Sequence, residues 1–130
     1  MTAVPRRIPI AREPGDHTGF TGVHDEGLFL GSIVLKDHWL AVLHLFGHDG
    51  EHRSSEIRDA GPAAGADRAR AHLEGLVTAL PGAQFGDIAI RPFRLERDGV
   101  LFGLIAEDDY ADLLPNGLRF GPPWDGEFET

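Results

Sequence analysis

The chain has 130 residues, no cysteine, and a net charge of -9 from 12 basic and 21 acidic side chains. Leu, Ile, Val and Phe fill 36 of the 130 positions, which excludes a disordered chain and supplies one real core. Without cysteine there is no disulfide, thiolate ligand or cysteine nucleophile, and the acidic balance argues against direct nucleic-acid binding and against anionic membranes.

Residues 1–16 read as an extended arm. Pro5, Pro9 and Pro14 interrupt it, and Pro9 between Ile8 and Ile10 suits only an edge strand. Arg6-Arg7 has no apolar stretch behind it, so no targeting segment is read there. Thr18 to His24 reads as a short strand, closed by the turn Asp25-Glu26-Gly27. Leu28–Lys36 and Trp39–Phe46 are β-branched, aromatic and apolar on both faces, and read as buried strands. Both are far shorter than the roughly 20 residues a membrane helix needs. After the turn His48-Asp49-Gly50-Glu51, the polar run Ser54–Ala60 reads as an edge strand with Ile57 as its main apolar residue.

The spacing predicts one helix, over about residues 66–80. Ala69, Leu73, Leu76, Val77 and Leu80 form one apolar stripe, Asp67 suits the first turn, and Pro81-Gly82 ends the run. Phe85–Glu96 reads as one strand with an edge position or bulge at Pro92. Asp98-Gly99 is the strongest hairpin signal, with Val100–Ala106 returning. Glu107–Asp112 reads as an acidic connection, and Leu113–Phe120 as a second small turn around Asn116-Gly117. Residues 121–130 form a Pro- and Gly-rich tail carrying Trp124 and Phe128. The expectation is one α+β domain over 1–130, a mainly antiparallel sheet with the helix packed on one face.

The residues that carry chemistry elsewhere are present here in patterns that do not. His44, His48 and His52 are spaced by four, but Gly47, Asp49 and Gly50 make a turn of that stretch. His48 and His52 remain the one place where a hairpin could gather a metal, with Asp49 or Glu51 as a third ligand. His44 stands between apolar neighbours and reads as a hydrogen-bonded core histidine. Gly31-Ser32-Ile33 lies within a strand pattern, not on a nucleophile elbow, and Ser54 and Ser55 are the other serines. No Gly-rich phosphate loop is present, and the single lysine, Lys36, reads as the solvated end of a strand. No catalytic residue, cofactor site or metal site is assigned.

The charge is concentrated. Residues 98–130 carry eight acids against Arg119 alone. Glu107, Asp108, Asp109 and Asp112 match no calcium-loop spacing and read as a solvated acidic patch. Together with the two tail aromatics this gives a candidate interaction surface of Asp108, Asp109, Asp112, Trp124 and Phe128. The acidic charge reads first as a solubilising surface; single-sign surfaces also steer partners of opposite charge, which leaves room for a basic protein, and the partner's identity is not read from the sequence.

Several segments carry a resemblance. Ile8-Pro9-Ile10-Ala11-Arg12-Glu13-Pro14, Trp39 to Phe46, Ser55-Glu56-Ile57-Arg58, Phe85 to Phe93, Asp98 to Leu104 and Pro123 to Thr130 stand in order along most of the chain. In these pieces the chain resembles a group of short bacterial proteins called formate hydrogenlyase regulatory protein. The resemblance implies a small cytoplasmic protein that antagonises a transcriptional activator by protein contact, and it carries over no catalytic residue. The reading is therefore a non-catalytic, cytoplasmic, bacterial protein acting through contact with another protein, possible homo-oligomers included. The alternatives are an immunity protein neutralising a basic toxin, and a small enzyme or metal-binding protein using the His48/His52 turn.

Overall fold

A computed structural model describes residues 4–13, 18–61, 65–122 and 124. In chain order the elements are β1 (Ile8–Ile10), β2 (Phe20–His24), β3 (Gly27–Lys36), β4 (His38–Phe46), β5 (His52–Gly61), α1 (Gly65–Thr78), β6 (Gln84–Phe85), β7 (Ile88–Ile90), β8 (Phe93–Arg97), β9 (Val100–Ala106), β10 (Ala111–Leu114) and β11 (Leu118–Phe120). The strands form a five-stranded sheet ordered β5-β4-β3-β2-β6, a four-stranded sheet ordered β11-β10-β9-β8, and a two-stranded ribbon of β1 with β7. Among the described residues every pairing is antiparallel, and a single helix accompanies the strands. The fold is α+β. No helix among the described residues is long and apolar enough to cross a membrane.

The two apolar faces of β3 and β4 go to different cores, because side chains alternate along a strand. Phe29, Ala41 and Leu43 cluster with Ala69, Leu73 and Val77 of α1. Leu28, Leu30 and Phe46 cluster instead with Phe93, Leu104, Leu113 and Phe120 of the four-stranded sheet, and with Ile8 and Ile90 of the ribbon. Toward the β3–β4 turn, Val34 and Val42 meet Phe102, with Leu40, Ile57, Leu95 and Val100 around them. Each such side chain fully removed from water contributes about 1.5–3 kcal/mol before entropy is charged against it. Gly31 permits the close approach of the helix: a Cβ there would stand 2.8 Å from Leu73 Cδ1.

The segment expected as one strand, Phe85–Glu96, is three. β6 pairs with β2, β7 with β1, and β8 with β9. Its backbone groups leave in different directions, which is what breaks it. Gly86 N donates to Thr21 O at 3.1 Å, and Arg91 N donates to Gly50 O at 2.9 Å. Pro92, next in line, has no N–H to give a ladder. Asp112, placed by sequence in a connection, lies within β10 opposite Ile105. On α1 the deepest apolar side chains are Ala69, Leu73 and Val77, whereas Leu76, and Leu80 past the helix end at Thr78, are only partly buried.

Candidate functional site

β5 is the outermost strand of its sheet, and a bulge shapes its start. His44 stands opposite Ser55 and Phe46 opposite His52, with a register shift between Leu45 and Phe46. The shift turns His52 to the same side as Ser55 although the two are three apart, where strict alternation would separate them. His44 Nδ1 lies 2.6 Å from Ser55 Oγ, and His52 Nε2 lies 2.9 Å from the same oxygen. The hydroxyl has one hydrogen, so it donates to one ring and accepts N–H from the other. His52 stacks on Phe93 at 4.6 Å and 16°, and His44 meets the same ring edge-on at 4.8 Å.

Burial disfavours the charged form of both rings. His44 is 1% exposed, and desolvation, helped by the neighbouring His52, pushes its pKa down to about 3. Desolvation also lowers His52. At neutral pH the pair is uncharged and hydrogen-bonded, as buried polar groups must be. The arrangement joins β4 and β5 of one sheet to β8 of the other.

Further along the same side of β5 the two sheets part around a cleft of about 580 Å³. Leu40, Ile57, Val100 and Phe102 line its apolar interior. Two hairpin turns supply the polar lining: Lys36, Asp37 and His38 from β3–β4, and Arg97, Asp98 and Gly99 from β8–β9. Both turns place an aspartate in the left-handed region, Asp37 at φ 65° and Asp98 at φ 53°. Asp is among the few side chains that tolerate it. His38 Nδ1 sits 2.8 Å from Asp59 Oδ2, and this contact, with the Gly61 N–H, holds the Asp59 carboxyl below its usual range.

The residues of the surface read from the sequence have different surroundings. Asp108 and Asp109 are exposed in the β9–β10 turn. Asp112 is ion-paired: Arg119 donates to it through Nε at 2.8 Å and Nη2 at 3.2 Å, and the guanidinium lies 3.9 Å from the centre of the Tyr110 ring. Trp124 packs against the core that holds Ile8 and Phe120, with its Nε1 buried and without a hydrogen-bond partner among the described residues. Phe128 lies outside the described residues. His48 and His52 do not converge: the exposed His48 ring reaches Asp25 O at 3.3 Å, and His52 turns to Ser55. Among the described residues no group of three or more His, Cys, Asp or Glu stands ready to hold a metal.

Sequence reasoning missed the His44–Ser55–His52 group, because only the bulge brings it together. It also missed the cleft. The signal there was the repeated pair of a cation followed by Asp at two turns, Lys36-Asp37 and Arg97-Asp98. No family model, curated protein or solved structure matches the chain.

Proposed function

We propose that this protein is a non-catalytic contact domain that works by adding the outer margin of β5 to a strand of another polypeptide. The observation that carries the reading is a ten-residue strand at the end of a sheet, with no neighbour on its far side among the described residues. Such a margin presents free backbone N–H and C=O groups, the means by which strand addition gains affinity. In this reading α1 covers one face of the sheet, which the shared cluster of Leu73 with Phe29 and Leu43 supports, and leaves the margin of β5 open.

The side chains of β5 choose the partner. Glu56 and Arg58 are exposed on one side of the strand and lie 3.3 Å apart as an ion pair along it. If two copies of β5 meet antiparallel about Ile57, Glu56 of each faces Arg58 of the other. Opposite charges directly across a ladder are worth roughly 0.2–1 kcal/mol each, and like charges cost as much. The strand that fits β5 is thus β5 of a second copy. Sedimentation across a concentration series tests this: the wild-type chain associates to a dimer, and Glu56→Arg or Arg58→Glu alone abolishes it. A chain that stays monomeric at high concentration contradicts the reading. The resemblance to a regulatory group fits an assembly that acts by contact.

A second reading, protection against a basic toxin, is favoured by Glu107, Asp108 and Asp109, which stand exposed at the β9–β10 turn. It requires a basic toxin gene beside this one, and Asp108→Asn with Asp109→Asn must end the protection. A neighbourhood without such a gene removes it.

A further inference from the structure

We propose that the cleft between the β3–β4 and β8–β9 turns binds a small zwitterion with an apolar body, an amino acid or a short peptide with free ends. Its volume of about 580 Å³ falls inside the usual range for small-ligand sites, roughly 300–1,000 Å³. The interior offers the partly buried Leu40, Ile57 and Val100, with Phe102 buried behind them, to an apolar side chain. The charged lining sets the rest of the ligand.

Four charged side chains line the cleft without an ion pair or side-chain hydrogen bond among the described residues: Lys36, Asp37, Arg97 and Asp98. The fifth, Asp59, is taken by His38 at 2.8 Å. Two cations and two carboxylates, all solvent-exposed at the mouth of the cleft, are therefore available to a ligand, one of each sign on each turn. A phosphate or a simple carboxylic acid answers the cations and leaves the aspartates facing an anion. A simple amine does the reverse. A molecule carrying carboxylate and ammonium groups answers both, and in a chain of net charge -9 the two cations keep its carboxylate end from being repelled at close range. Recognition of this kind selects by satisfying both charges and by leaving one unmatched in the wrong ligand.

The turns are suited to hold such groups. Asp98-Gly99 and Asp37 sit in tight hairpin turns with left-handed backbone, which fixes where each carboxylate starts. The site does not depend on β5 association, although Ile57 and Asp59 belong to that strand.

The test is titration by isothermal calorimetry and by two-dimensional NMR with four probes: leucine, its N-acetyl derivative, its amide, and inorganic phosphate. Leucine shifts the amides of residues 36–38 and 97–100, and blocking either charged end weakens binding at least tenfold. Lys36→Met weakens leucine at least tenfold and leaves the amide form unchanged; Asp98→Asn does the same to leucine and leaves the N-acetyl form unchanged. The Glu56→Arg chain binds leucine as the wild type does, which separates this site from the β5 contact. No response to leucine at millimolar concentration, equal binding of a blocked form, or tighter binding of phosphate each overturns the proposal.

Discussion

The imidazole of His52 lies flat on the ring of Phe93, with 4.6 Å between centroids and 16° between planes. One residue is on the outermost strand of the five-stranded sheet and the other on the outermost strand of the four-stranded sheet, so the stack ties the two margins together. Phe93 also meets Phe46 edge-on at 5.2 Å. Phe93→Ala is expected to cost about 3–5 kcal/mol in urea denaturation. A double-mutant cycle with His52→Ala is expected to leave a coupling of about 0.5–1.5 kcal/mol for the stack. A coupling near zero would mean that the rings are neighbours and nothing more.

Acid should unfold this protein through the same cluster. His44 falls from 6.5 to about 3 in the folded chain because burial opposes its charge. Between those values the unfolded chain takes up a proton that the folded chain refuses. Stability is thus full above about pH 6.5 and declines as pH falls toward 3, by up to about 1.4 kcal/mol per pH unit. His52, lowered by the same cause, adds in the same direction. His44→Phe, which removes the titrating group and keeps a ring beside Phe93 and Phe102, is expected to flatten the slope between pH 6.5 and pH 4. An unchanged slope would place the acid sensitivity elsewhere.

On α1 the two leucines of the apolar stripe are not equal. Leu73 is 0% exposed and rests over Gly31, whereas Leu76 is only partly buried. Leu73→Ala is expected to destabilise by about 2–5 kcal/mol and Leu76→Ala by clearly less. Equal losses in thermal or chemical denaturation would mean that the helix is rotated about its axis.

The β8–β9 turn depends on Gly99, whose φ of 77° is costly for other residues. Gly99→Val is expected to cost at least about 1–2 kcal/mol. Gly99→Asn is expected to cost much less, because Asn tolerates this region. Matching melting temperatures for the two variants would show that the turn has another conformation in solution.

What could be read from the sequence followed the local physics. The long apolar runs gave β3 and β4, the polar run around Ile57 gave an outer strand, and the stripe Ala69, Leu73, Leu76, Val77 and Leu80 gave the helix, although only Ala69, Leu73 and Val77 of it are buried. Asp98-Gly99 announced its hairpin because left-handed turns leave few residue choices. Four things were hidden. The division of Phe85–Glu96 rests on hydrogen bonds to Thr21 and Gly50, 65 and 41 positions away by the residue numbers. The meeting of His52 with Ser55 rests on a bulge that strand periodicity cannot foresee. The cleft rests on two distant turns, and no local pattern says that they face one side. The acidic patch was visible as composition, but the pairing of Asp112 with Arg119 across β10 and β11 was not.

The most direct measurement of the central claim, that β5 joins β5, is a mixing experiment. Glu56→Arg makes one chain basic at both positions, and Arg58→Glu makes another acidic at both. Each alone places like charges across the two-fold pairing and is expected to sediment as a monomer. Mixed in equal amounts, they restore both opposite-charge pairs, and sedimentation velocity is expected to show a heterodimer at the wild-type position. If the mixture stays monomeric while the wild-type chain dimerises, or if each variant dimerises alone, the contact is not made by β5.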